Sequence, residues 1–350
     1  MATLNTLTPS VSAGRELSRA EVAEAVRSLL DEDTAEETKA GFLTALARRG
    51  ETAAEIAAFA LELRERAVDP QIDPARFGGM VLDVCGTGAD MAHTFNISSC
   101  VTFVVAAAGV PVVKHGNRAI TSRCGSADVL AALGARIELA PDAARRCLEE
   151  VGVTFFFAPT YHPAFKKIAA VRKKLAERKQ RTVFNIIGPL VNPAQPTHQV
   201  VGIFDAGLVG RYAEVLRLIG VKRALVVHGD GLDEFSTLGV NTCAELWGGR
   251  IEETARDFRV PHTEMRLMQV KLSELAGGDP PYCAQVVREV LSAEHRGPRR
   301  DIVLLNTAAA LVVAEVVNDF AGGWRRAAEL IDSGAALKKL EQFVEATNRG

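Results

Sequence analysis

Apolar and polar positions follow two different periods along this chain, and the change between them divides it. In the first part the period is helical. Val22, Val26, Leu29 and Leu30, then Ile56, Phe59 and Leu63, recur at three- or four-residue steps, as on one face of a helix. Three pairs have capping-box spacing, an N-cap oxygen and a carboxylate three residues on: Ser18 with Glu21, Asp33 with Glu36, and Thr52 with Glu55. Three short amphipathic helices are expected over 15–70. Asp69-Pro70 and Asp73-Pro74 end the section, because a residue before proline is pushed out of the helical region.

Beyond the prolines, short apolar runs at 81–85, 153–157, 200–204 and 224–227 read as strands. Between them lie helix-like segments at 97–108, 126–133, 143–151 and 208–219. Strands alternating with helices indicate an α/β fold on a mostly parallel sheet, in which ligands gather beyond the carboxyl ends of the strands. The Lys- and Arg-rich segment 161–181 runs as a helix from near Pro163 towards Glu177 and reads as a crossover back to the helical section. Pro280-Pro281 reads as a loop, and 301–317 and 324–348 as closing helices. The expected division is a small helical N-terminal domain over 1–75, completed near 165–185, and a large α/β catalytic domain over 76–350.

Composition narrows the class. The net charge of −2 argues against a nucleic-acid binder, which usually carries a basic excess. Six cysteines without a C-x-x-C pair fit a reducing compartment better than a disulfide framework. The Thr/Ser-rich start does not read as a signal peptide, and the longest apolar stretch, 101–113, is too short to span a bilayer and holds Gly109 and Pro111. A cytoplasmic protein without membrane or nucleic-acid partners is expected.

Three motifs then carry the chemistry. Asp83-Val84-Cys85-Gly86-Thr87-Gly88-Ala89-Asp90 leaves a strand and leads to Asn96-Ile97-Ser98-Ser99 at a helix start. Glycines let backbone approach a phosphate, and a helix N-terminus offers free N–H groups. A plain Gly-rich turn with an N-cap would look the same. Lys114-His115-Gly116-Asn117-Arg118, with Thr121-Ser122-Arg123 and Gly125-Ser126-Ala127-Asp128, follows the apolar run that ends at Val113. It reads as a second anion site at a strand end, or as a solvated basic loop in which Ser126 caps the next helix. His228-Gly229-Asp230-Gly231-Leu232-Asp233-Glu234 follows the strand at 224–227. Adjacent carboxylates there suit Mg²⁺, which takes one or two carboxylates plus substrate phosphates and water.

These motifs, together with Asn185-Ile186-Ile187-Gly188-Pro189-Leu190-Val191-Asn192-Pro193, occur in the order seen in anthranilate phosphoribosyltransferases, and the chain resembles that family from its first helices to its last. The resemblance implies a fold of the nucleoside phosphorylase/phosphoribosyltransferase type, usually a homodimer. It implies transfer of a phosphoribosyl group from phosphoribosyl pyrophosphate to the amine of anthranilate, in tryptophan biosynthesis. Carried over residue by residue, it places phosphoribosyl pyrophosphate on Gly86, Ala89, Asp90, Thr94, Asn96 and Ser99, joined by Lys114, Asn117, Ser122 and Ser126. Ile97, Gly116, Arg118, Ala119, Ile120 and Thr121 complete the implied substrate-binding set. Two Mg²⁺ ions per site are implied: Ser98 binds one, Asp233 and Glu234 the other, with Glu234 touching both. Asn117 and Arg172 meet anthranilate, Arg172 at its carboxylate, and His115, Gly188 and Pro189 lie near the ring. No residue is implied as an acid or base.

The chain departs from the family pattern twice. Ala89 stands where a second glycine is usual, and the connector between Leu175 and Arg181 is longer than usual. Two other readings share parts of the pattern: a pyrimidine nucleoside phosphorylase-type enzyme, and a non-catalytic relative that binds nucleic acid.

Overall fold

The computed structural model describes residues 3–349 except Ala89, Ile120, Thr121, 260–264, Arg266, Met268 and Gln269. Among the described residues the chain opens with α1 (Leu4–Ser12), α2 (Arg19–Leu29), α3 (Glu36–Arg49) and α4 (Ala53–Arg64). There follow β1 (Leu82–Gly86), α5 (Ile97–Ala107), β2 (Val112–Gly116), α6 (Ser126–Ala132), α7 (Pro141–Val151) and β3 (Val153–Phe157). Next come α8 (Ala158–Tyr161), α9 (Ala169–Glu177), β4 (His198–Gly202), α10 (Val209–Leu218), β5 (Arg223–Gly229), β6 (Asn241–Trp247) and β7 (Arg250–Arg256). The closing helices are α11 (Pro280–Leu291), α12 (Pro298–Val313), α13 (Phe320–Asp332) and α14 (Ala335–Asn348).

Two of the three expected capping boxes form: the Ser18 and Thr52 side chains accept from the Glu21 and Glu55 N–H groups at 3.3 and 3.2 Å. The third does not. Asp31 accepts the Asp33 N–H at 3.1 Å, an Asx-type turn that delays the helix, so α3 starts at Glu36 with Ala35 as its N-cap. Helix α1 escaped the sequence reading because Thr and Ser dominate it, yet Leu4, Leu7 and Val11 share one buried face.

The sheet order is β3-β2-β1-β4-β5-β6-β7. β1 to β5 are parallel, whereas β6 and β7 are antiparallel additions absent from the sequence reading. β7 carries Arg250, Glu252, Glu253 and Arg256, charge that blunts an open edge and hides the apolar alternation of a strand. Inner strands bury alternate residues on opposite faces. Val84, Val200, Leu225 and Val227 join the core under α5 and α11 to α14. Val201, Ala224 and Val226 face α10 and the N-terminal helices, in a core that also holds Ile168, Val171, Leu175 and Val183. A sheet covered on both faces is what near-continuous apolar runs specify.

Two further expectations are corrected. Pro280-Pro281 does not form a loop but starts α11, since the first turn of a helix needs no N–H, and Asp279 accepts the Tyr282 N–H at 3.1 Å. The stretch 324–348 is broken at Gly334, whose φ of 76° ends one helix and begins the next.

Candidate active site

The strand order turns at β1, flanked by β2 on one side and β4 on the other, which is where an open parallel sheet leaves a crevice. Gly86 ends β1 directly opposite Gly202 at the end of β4. A Cβ on either would lie far inside van der Waals contact with Asp233. The two glycines thus admit the third motif into the crevice. Gly88, at φ 71°, donates its N–H to Asp233 Oδ2 at 2.6 Å, so the first and third motifs touch.

The second motif reaches the same place by a route the sequence did not suggest. Lys114 and His115 do not lie in a loop beyond the strand but inside β2, whose pairing with β3 continues to Gly116↔Phe157. Both are buried, which a solvated loop would not be. Lys114 Nζ donates to the Val84 carbonyl at 2.7 Å and to Ser98 Oγ, at the start of α5, at 3.2 Å. Asn96 Nδ2 donates to the Cys124 carbonyl at 3.1 Å, while its Oδ1 and Ser99 Oγ are buried without partners. Ser126 is not a cap but the first residue of α6. Asp128 does the capping: it accepts the Gly125 and Ala119 N–H groups at 3.0 and 2.8 Å and pairs with Arg118 at 2.8 Å. A carboxylate can stitch a turn and hold an arginine together, which a hydroxyl cannot.

Negative charge is crowded at the base of this crevice. Burial, then the neighbouring carboxylates of Asp90 and Glu234, push Asp233 well above the usual carboxylate range. Burial raises Glu234 to about 7, with Lys114 pulling the other way. Asp83, beneath, is also raised by burial, against Lys114 and an Asn192 Nδ2 bond of 2.8 Å. Hard oxygen donors that are uncomfortable as anions are suited to a divalent cation. No group of three His, Cys, Asp or Glu side chains forms a ready-made metal cage among the described residues.

The opposite wall is different in kind. The Gly-Pro turn has no strand to hold it, and side chains secure its carbonyls instead. Tyr212 donates to Ile186 O at 2.8 Å, Gln199 to Pro189 O at 3.0 Å, and Arg64 Nε to Leu190 O at 2.6 Å. His115 Nδ1 lies 3.2 Å from the Gly188 carbonyl and, facing an acceptor, carries the proton. His115 and His162 meet edge to face at 5.3 Å, and His162 stacks on Phe165 at 5.1 Å. Burial, then His162, lowers His115 to about 3, and burial lowers His162 to about 4, so both rings are neutral. Arg172 lies 5.9 Å from the Phe165 ring centre and 5.4 Å from that of Phe184, and burial lowers its pKa.

Both walls enclose one cleft of ≈ 860 Å³. Gly86, Asp90, Thr94, Asn96, Ile97 and Ser98 line it, as do Lys114 to Ala119, Ser122, Ser126, Arg172, Asp233 and Glu234. Of the other site residues drawn from the sequence, Ser99 is buried beneath the cleft and Gly188 and Pro189 stand behind His115 rather than on the wall. Ala89, Ile120 and Thr121 lie outside the described residues. Phe184, which lines the cleft, and the His162–Phe165 stack were not foreseen; aromatic residues on either side of Arg172 in the sequence were the available signal.

The glycosyl transferase family, a/b domain, matches residues 78–337, and the helical bundle domain of the same family matches residues 7–67. The anthranilate phosphoribosyltransferase of Anaeromyxobacter dehalogenans is 46% identical over 334 residues, 95% of this chain and 96% of that protein. That of Methanocorpusculum labreanum is 44% identical over 95% of each. Among solved structures, the Thermus thermophilus anthranilate phosphoribosyltransferase superposes with a TM-score of 0.87 at 38% identity, covering 97% of this chain and 98% of that one. The Saccharomyces cerevisiae enzyme in complex with PRPP and Mg gives 0.83 at 26% identity, over 98% and 97%. With its motifs gathered in one cleft and its relatives matched over almost their whole length, the chain belongs to the anthranilate phosphoribosyltransferase family.

Proposed function

We propose that this cleft transfers the phosphoribosyl group of phosphoribosyl pyrophosphate to the amine of anthranilate through two unlike walls. The observation that carries the reading is the convergence of three motifs, separated by up to 145 residues, on the Gly88–Asp233 contact and the Lys114–Ser98 contact. The phosphate wall comprises Gly86, Asp90, Thr94, Asn96, Ile97, Ser98 and Ser99, with Lys114, Gly116, Asn117, Arg118, Ala119, Ser122 and Ser126 opposite. Arg172 faces the acceptor carboxylate; Asn117 and His115 position the ring, with Gly188 and Pro189 in support.

Ser98, Asp233 and Glu234 would hold two Mg²⁺ ions, in keeping with the crowded carboxylates and with the metal named in the yeast complex. When bound, such ions neutralise the pyrophosphate as it leaves. The chain's own residues do the rest. Lys114 and the N–H groups of the first motif and of α5 accept the charge that grows on the departing oxygens. Arg172 and the neutral histidines orient the amine towards the ribose carbon. The N–C1 bond forms as the C1–O bond to pyrophosphate breaks. The amine proton leaves afterwards, when the nitrogen has become acidic, so no strong base is required.

Residues 1–75 with the crossover near 165–185 would form the helical domain, and the enzyme would act as a cytoplasmic homodimer. No described helix is long and apolar enough to cross a membrane. Loss of anthranilate fluorescence on mixing with phosphoribosyl pyrophosphate and Mg²⁺ tests the reading. Phosphorolysis of thymidine in its place would instead favour a nucleoside phosphorylase.

A further inference from the structure

Arg64, the last residue of α4, is the one clamp on the Gly-Pro turn that comes from the N-terminal helices; Tyr212 and Gln199 come from α10 and β4, and His115 from β2. It is buried, and its Nη2 has no hydrogen-bond partner. Its Nε bond to Leu190 O spans 126 positions of sequence. Among the described residues no carboxylate pairs with it, and burial lowers its pKa to about 10. A buried guanidinium without a counter-ion is costly, and a neutral donor would hold one carbonyl as well. The charge itself therefore calls for a reason. Its field reaches both His115 and His162, where it opposes protonation. An anionic ligand on the far side of those rings would supply the missing counter-charge.

We propose that Arg64 is a positioning residue for the acceptor. From the helical bundle it fixes the Leu190 carbonyl, and with it the turn that carries Gly188, and it holds positive charge behind the paired imidazoles against which an aromatic carboxylate is seated. This rests on the assignment of that wall to anthranilate. It adds a second cation to Arg172, one that never touches the ligand and couples the helical bundle to the acceptor half alone.

The test is steady-state kinetics on the full chain with Mg²⁺, varying each substrate in turn, for wild type, Arg64→Met and Arg64→Lys. Wild-type turnover with anthranilate checks the underlying assignment separately: if it is absent, that assignment fails before any variant is compared. Given turnover, Arg64→Met is expected to raise the KM for anthranilate by about tenfold, the scale of one charge-assisted hydrogen bond. The KM for phosphoribosyl pyrophosphate is expected to stay within about twofold. Arg64→Lys, which keeps the cation and a donor, is expected to recover most of the loss. A merely structural role would move both constants together, and that result overturns the proposal. So does an unchanged acceptor KM, or a lysine variant no better than methionine. If Arg64→Met does not fold, Arg64→Gln, which keeps a donor for the Leu190 carbonyl but removes the charge, takes its place: a rise confined to the acceptor KM supports the proposal, and a rise shared by both substrates or no rise overturns it.

Discussion

On the proposed phosphate side of the cleft, the lining groups come from strand ends and the start of a helix, in three short motifs each contiguous in sequence. On the proposed acceptor side the cleft is lined by His115 of β2, Arg172 of α9 and Phe184, and the groups that support them come from α4, the 162–165 turn and the Gly-Pro turn, which only tertiary packing brings together. Their charges differ too. Carboxylates raised by burial and then by one another floor the first side; histidines held neutral by burial stand at the second. A site can thus take its charge chemistry from local motifs and its shape selectivity from distant contacts, so the two halves should fail in different ways.

The largest separation is expected from Asp233→Asn combined with Glu234→Gln. If the carboxylates serve the leaving group, turnover falls by roughly 100-fold or more. Removing mutual repulsion with Asp90 should also raise the melting temperature of the metal-free protein, and the further rise on adding Mg²⁺ should vanish. Retained turnover at saturating Mg²⁺, or a lowered melting temperature, would break the assignment of charge chemistry to this side.

Next is acid stability, which belongs to the other wall. His162 has its pKa lowered from 6.5 to about 4. Between those values the unfolded chain takes up a proton that the folded chain refuses, so stability falls as pH falls through this window and levels off below it. The lowering corresponds to roughly 3 kcal/mol. His162→Phe keeps the stack on Phe165 but removes the titration. Its unfolding free energy between pH 7 and pH 4 should therefore decline by roughly 3 kcal/mol less than that of wild type. Parallel declines by denaturant titration would mean that burial does not hold this ring neutral.

The two sides also differ in how far the sequence exposes them. Gly86, Gly88, Asn96 and the Asp233-Glu234 pair were readable because a turn, a helix start and adjacent carboxylates are local devices. Lys114 and His115 read in the sequence as loop residues, since two consecutive basic residues argue against a buried strand until Val84 and Ser98 are seen to receive the lysine. Phe184, the His162–Phe165 stack and the Arg64 clamp could not be read, because each depends on contacts between distant segments. The fold follows the same rule: the parallel strands with apolar runs were legible, but β7, charged along an exposed edge, was not.

A smaller effect is expected from Arg172→Met, which should lower kcat/KM for anthranilate by about tenfold while leaving phosphoribosyl pyrophosphate binding unchanged. Arg172→Lys should recover little, since a planar fork matches a carboxylate and a point charge does not. Equal losses for both substrates would blur the boundary between the walls.

The smallest effect concerns the long connector at the acceptor rim. Both walls use left-handed backbone, at Gly88, Met91 and His93 on one side and at Lys179, at φ 55°, on the other. Lys179 follows α9, where its N–H donates to Ala176 O at 2.8 Å and the Gln180 N–H to Leu175 O at 3.0 Å, a helix stop that normally employs glycine. Its side chain is exposed, while Ala176, Glu177 and Gln180 line the cleft. Lys179→Gly should therefore relieve backbone strain without moving a ligand contact, stabilising the protein by about 0.5–1 kcal/mol, the part of the left-handed penalty left after glycine's greater freedom when unfolded. Kinetic constants for both substrates should stay at their wild-type values. If the acceptor KM rises instead, the strained stop is itself part of the acceptor wall, and that wall extends beyond the clamps on the Gly-Pro turn to the end of α9.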